Sequence, residues 1–143
     1  MANLSPDIFL KLHTAAESAA GKSYAPYSGF RVGAALFFDD GIVTAGCNVE
    51  NVSYSLTICA ERTALVRAIA ENGSARKIVA IAVINLNKAA SPPCGACLQM
   101  LSEFVAPDAV ICFPTDSGMV EKQFRELLPF AFTDWKTDDD ARG

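Results

Sequence analysis

Two short stretches carry residues with chemistry to offer, Cys59-Ala60-Glu61-Arg62 and Pro93-Cys94-Gly95-Ala96-Cys97. The apolar spacing that follows each one predicts a helix beginning there. Partial positive charge at a helix N-terminus lowers a thiol's pKa and favours thiolate, the metal-binding form. Cys94-x-x-Cys97 alone suits a redox dithiol or half of a structural zinc knuckle. Cys59 adds a third sulfur if the two helix starts meet at one end of a sheet. Soft thiolates in a tetrahedral set select zinc, and three protein ligands leave a place for water, as in catalytic sites. Glu61, in the same helical turn as Cys59, then stands beside that place as an acid–base group. Neither bland reading of the thiols accounts for this acid. Three thiolates leave a zinc centre net negative, which weakens its pull on a water proton, and Arg62 is the cation placed to offset this.

The elements that must position these residues follow from periodicity and punctuation. Ser5-Pro6 opens a helix with Ile8, Phe9, Leu12, Ala15, Ala16 and Ala19 at helical spacing, stopped at Gly21. Residues 23–29 read as a loop. Phe30–Phe38 and Ile42–Ala45, on either side of Asp39-Asp40-Gly41, read as a β-hairpin. Helices over Cys59–Glu71 and Cys94–Phe104 alternate with strands over Ile78–Ile84 and Ala109–Phe113. Val120–Leu128 reads as a further short helix ending at Pro129. A hairpin followed by helix, strand, helix and strand implies an α/β protein, a mixed sheet under helices with one parallel pair. The continuous β-branched run Ile78–Ile84 is its central strand, beneath the helices that start at Cys59 and Cys94.

Composition narrows the classes. The chain has 143 residues, 51% of them hydrophobic, which suits one domain spanning 1–143. Twelve Lys and Arg against sixteen Asp and Glu give a formal charge of −4 and no counterion-release drive toward nucleic acid or an anionic membrane. No run reaches the roughly 18 apolar residues that a membrane span needs. Five cysteines, an odd number, and a polar start to the chain fit a reduced, cytoplasmic protein. His13 is the single histidine, so a His-dependent triad or a His zinc site is set aside. Cys47 and Cys112 read as small buried residues, and residues 134–143 as a disordered acidic tail.

Cys59-Ala60-Glu61-Arg62-Thr63-Ala64 with Pro93-Cys94-Gly95-x-Cys97 resembles the small homotetrameric zinc cytidine deaminases, whose signature is a ligand-x-Glu followed by Pro-Cys-x-x-Cys. Similar segments recur in family order. They are Tyr24-Ala25-Pro26-Tyr27-Ser28-Gly29-Phe30 with Val32-Gly33-Ala34-Ala35, then Gly46-Cys47-Asn48-Val49-Glu50-Asn51, and Leu127-Leu128-Pro129 with Phe132. The sequence departs from the family pattern at Leu98, usually arginine, and at Ser55, often proline or glycine.

The resemblance implies a three-layer αβα sandwich around the mixed sheet and one zinc per chain on Cys59, Cys94 and Cys97. It implies that Glu61 carries a proton from water to N3 and then to the leaving amino group, with Arg62 bonded to the thiolates. Asn48 and Glu50 would bind the ribose 3′-hydroxyl, Phe30 would pack on the nucleoside, and Ala60 would join the substrate contacts. Val52, Tyr54 and Phe132 would complete a neighbouring subunit's pocket, Phe132 by stacking on the base. The implied activity is hydrolytic deamination of cytidine and 2′-deoxycytidine in pyrimidine salvage. Two alternatives stay open: a deaminase of another cytosine nucleoside such as blasticidin S, and a non-catalytic zinc-stabilised module.

Overall fold

The computed structural model describes residues 4–133, so the expected tail at 134–143 lies outside the described residues. Helix α1 (Pro6–Ala20) begins where Ser5, in an extended conformation, accepts a hydrogen bond from the Ile8 N–H at 3.3 Å. Strands β1 (Val32–Phe38) and β2 (Val43–Cys47) form the hairpin, turned at Gly41 with φ +83°. A 3-10 turn at Tyr54–Leu56 precedes α2 (Ala60–Asn72), which stops at Gly73 with φ +75°. Then come β3 (Ile78–Asn85), α3 (Gly95–Ser102), β4 (Val105–Thr115), β5 (Gly118–Gln123) and the single turn α4 (Phe124–Leu127).

The sheet order is β2-β1-β3-β4-β5, with β3 in the middle and β3–β4 the parallel pair. Helix α1 covers one face, setting Leu12 and Ala16 against Ala35, Ala80, Ala82 and Val110. On the other face Ala64 and Leu65 of α2, Leu98 and Leu101 of α3 and Phe124 of α4 pack on Leu36, Ile81, Val83 and Ile111. The three-layer αβα sandwich is therefore present.

Direction explains why the two helix starts meet. Strands β2 and β3 are each antiparallel to β1 between them, so they point the same way. The chain leaves both at the same end of the sheet, and α2 and α3 begin there, at the carboxyl ends of the strands where α/β proteins place their sites. Two glycines let the layers close up. A Cβ on Gly33 would lie 1.8 Å from the Ala16 carbonyl oxygen of α1, and one on Gly46 would lie 2.4 Å from the Ala64 nitrogen of α2.

Two expectations need correction. Val120–Leu128 is not one helix: residues 118–123 form β5, and only Phe124–Leu127 are helical. β5 pairs with β4 from Gly118–Thr115 to Gln123–Val110, and that ladder outweighs the local helical spacing. β4 also begins at Val105, because Val105 pairs with Ile78 before the register shifts.

Candidate active site

Cys59 is the N-cap of α2 and Cys94 the N-cap of α3, its sulfur accepting the Cys97 N–H at 3.4 Å. The Cys59 and Cys94 sulfurs are 3.9 Å apart and those of Cys94 and Cys97 3.4 Å, all three lying within 4.8 Å of one another. Bonds of about 2.3 Å to a tetrahedral zinc would set such edges near ~3.8 Å. Among the described residues no further histidine, cysteine or carboxylate joins the group; Cys47 is half-buried and Cys112 buried, both outside it.

The electrostatics favour a cation. A hydrogen bond from Cys97, more than the one from Arg62, draws the Cys59 thiol down to about 5 against the cost of burial. Cys97, donating to that thiolate and buried beside Glu61, is pushed up. One proton is thus hard to remove unless a metal ion replaces it. Arg62 Nη2 lies 3.6 Å from the Cys59 sulfur, where it neutralises part of the thiolate charge. Distances, donor type and countercharge all fit one zinc ion per chain.

Glu61, on the first turn of α2, is only 4% exposed. Burial raises its carboxyl above the ordinary value, against a hydrogen bond from Cys97. It lines a cavity of about 260 Å³ together with Cys59, Cys94, Asn48, Glu50 and Phe30. Val32, Val83 and Pro92 add apolar walls, and Glu50 and Glu61 are the charged side chains in the lining besides the thiols.

Asn48 and Glu50 follow β2 and are held by loop residues. Asn48 Oδ1 accepts from the Val32 N–H at 2.9 Å and from Ser23 Oγ, while Nδ2 donates to the Phe30 carbonyl at 2.7 Å. The amide is locked in one orientation with a second N–H left for a ligand. Glu50 Oε1 accepts from the main-chain N–H groups of Tyr27 and Ser28 at 3.0 and 3.1 Å, and Oε2 accepts from Ser28 Oγ and, at 3.4 Å, from Tyr54. The Ser28 hydroxyl leads these bonds in holding the Glu50 carboxyl below its ordinary value. Asn48 thus offers a donor and Glu50 an acceptor, which matches a hydroxyl group.

The structure brings Phe30, Asn48, Glu50, Cys59, Ala60, Glu61 and Cys94 into one lining, with Cys97 buried beside it. Tyr54, assigned by resemblance to a neighbour's pocket, lines this chain's own cavity. Val52 and Phe132 lie outside the lining, 81% and 63% exposed. Ser23 and Ser28 had no assigned role; single serines in a loop carry no periodicity that would mark them.

The family model for the cytidine and deoxycytidylate deaminase zinc-binding region matches residues 9–113. A cytidine deaminase of Halalkalibacterium halodurans is 48% identical over 112 residues, 78% of this chain and 83% of that protein. The crystal structure of cytidine deaminase from Burkholderia pseudomallei superposes with a TM-score of 0.78 at 42% identity, covering 90% of this chain and all of that one (100%). The Mycobacterium tuberculosis cytidine deaminase structure gives 0.76 at 37% identity, covering 88% of this chain and 98% of that one. With the cysteine cluster, the sandwich and both sequence comparisons in agreement, this chain belongs to the cytidine and deoxycytidylate deaminase family.

Proposed function

We propose that the chain hydrolyses cytidine and 2′-deoxycytidine to uridine and 2′-deoxyuridine with release of ammonia. The observation that carries this reading is a single cavity that holds a thiol cluster, a buried carboxyl beside it and a fixed donor–acceptor pair. Cys59, Cys94 and Cys97 hold the zinc, with Arg62 as countercharge. When bound there, zinc supplies an acidified water as nucleophile.

Glu61 accepts a proton from the attacking water and gives it to N3 of the pyrimidine as C4 is attacked. It then takes the remaining proton from the new C4 hydroxyl and passes it to the 4-amino nitrogen. The C4–N bond breaks, the C4 carbonyl forms, and one water has been exchanged for one ammonia. Asn48 donates to the ribose 3′-hydroxyl and Glu50 accepts from it; the 2′ position is given no partner, so both sugars are accepted. Phe30 packs on the nucleoside. Ala60, first residue of α2, keeps a main-chain N–H without an intrahelical partner for a base carbonyl. Among the described residues no lysine or arginine lines the cavity, so a 5′-phosphate would find no cationic side chain there, and nucleosides are preferred to nucleotides.

The working form is a cytoplasmic homotetramer of the single domain 1–143, with Val52 and Phe132 contributing to a neighbour's pocket and Tyr54 lining its own. Exposed Val52, Leu56, Ile58, Phe130 and Phe132 support this, because so much uncovered apolar surface calls for a partner. The decisive test is the loss of cytidine ultraviolet absorbance with stoichiometric ammonia release, before and after zinc removal. Turnover that zinc restores supports the reading. A zinc-loaded protein inert toward cytidine and deoxycytidine but active on blasticidin S, or inert toward all three, contradicts it.

A further inference from the structure

We propose that Gln99 is a positioning residue that sets Phe132 for its place in a neighbouring copy's pocket, an inference that rests on the shared-pocket reading above. Gln99 lies on α3, two residues past Cys97. Its Nε2 donates to the Phe132 carbonyl at 2.8 Å, and its Oε1 accepts the Phe132 N–H at 3.2 Å. One side-chain amide thus takes both polar groups of one residue's main chain, the two-point pattern by which paired strands hold each other. The peptide planes on both sides of Phe132 are fixed, and with them the direction of its Cα–Cβ bond.

Residues 131–133 belong to no helix or strand, and among the described residues the Gln99 bonds are the ones that hold their main chain. The held residue is not buried by this. Phe132 stays 63% exposed, beside Phe130 at 97%. An aromatic side chain held by its backbone and left uncovered is prepared for a surface that is not on this chain. Because Cys94 caps α3 and Cys97 lies in its first turn, the same helix that presents two of the three sulfurs also fixes the Phe132 segment. Every copy therefore holds its outward aromatic at a set distance from its own metal cluster.

Preorganisation of a group that stacks on the base equally in the ground and transition states changes KM and leaves kcat alone. Base–aromatic stacking is worth roughly 1–3 kcal/mol, so Phe132→Ala should raise KM for cytidine by roughly 5- to 150-fold. Gln99→Met keeps the length of the side chain and removes both bonds. It should raise KM about fivefold, with kcat within about twofold and with oligomeric mass and zinc content unchanged. In the Phe132→Ala background, Gln99→Met should add less than about twofold, because it acts through the same ring. Gln99→Glu keeps the acceptor for the Phe132 N–H but sets an oxygen 2.8 Å from the Phe132 carbonyl, so it should raise KM at least as much as Gln99→Met, and it serves if Gln99→Met fails to fold.

An unchanged KM in the Gln99 variants beside a raised KM in Phe132→Ala overturns the positioning role and leaves the shared pocket standing. A Gln99 effect that persists in full without the ring, or one that comes with loss of assembly, also overturns it. An unchanged KM in Phe132→Ala overturns the shared-pocket reading itself.

Discussion

Asn48→Asp separates the fold from the site at a single atom. The two acceptor bonds to Oδ1, from the Val32 N–H and Ser23 Oγ, survive the change. The Nδ2 donor does not: an oxygen takes its place 2.7 Å from the Phe30 carbonyl oxygen, in a residue only 8% exposed. Leaving that carbonyl unpaired costs about 1–3 kcal/mol, and the added charge beside Glu50 raises the total to roughly 2–4 kcal/mol. At about 2–4 °C per kcal/mol for a chain of this size, Tm at pH 8 should fall by roughly 5–15 °C. A proton on the new oxygen would restore a donor to Phe30, so the folded pKa of the introduced carboxyl lies above its unfolded value near ~3.9. Its charged form is the disfavoured one, so the deficit is full at high pH and shrinks as pH falls toward that folded pKa. Binding should suffer separately. Two acceptors would face one ribose hydroxyl, and KM for cytidine should rise by about tenfold or more. With 3′-deoxycytidine, which lacks that hydroxyl, the change in KM should be much smaller. Thermal melts at pH 5 and 8 and steady-state kinetics on both nucleosides measure this. A variant as stable as wild type at pH 8 would refute the fixed amide orientation, and equal KM changes on the two nucleosides would refute the sugar contact.

Other perturbations test neighbouring parts of the account. Gly46→Ala places a Cβ 2.4 Å from the Ala64 nitrogen and 2.9 Å from its Cα, so α2 must retreat from β2. A loss of about 3 kcal/mol or more and reduced zinc retention are expected in melts and metal analysis. Glu50 is held below its ordinary value of 4.5, first by the Ser28 hydroxyl, so its ionised form is favoured by the fold. The stabilisation it contributes is present above 4.5 and lost only as pH falls through the lower folded value. Ser28→Ala should move the Glu50 titration seen by carbon NMR upward, and an unmoved titration would contradict the bond's role. Cytidine 5′-monophosphate should be turned over at least about 100-fold less efficiently than cytidine, since the two acidic side chains lining the cavity oppose its phosphate.

What could be read before folding was what local chemistry decides. Thiols at helix starts, the Asp39-Asp40-Gly41 turn and the β-branched Ile78–Ile84 run each declare themselves within a few residues, and α1, the hairpin, α2, β3 and α3 lie where those signals put them. β5 did not. Most of its residues are exposed, and only the ladder to β4 makes them a strand. The serine supports of Asn48 and Glu50 were invisible for a related reason, because Ser23 and Ser28 act across 25 and 22 residues of sequence. The Gln99 bonds to Phe132 span 33. Gly33 and Gly46 could have been found: a glycine inside a strand marks a close backbone approach, and these two admit α1 and α2.

The central claim is that the three sulfurs hold the metal while Glu61 moves protons without binding it. Metal content and turnover measured on the same preparation of Glu61→Gln test it most directly. One zinc per chain with cytidine turnover reduced by at least about 10³-fold is the predicted result. A variant that loses its zinc, or one that keeps substantial turnover, would contradict the account.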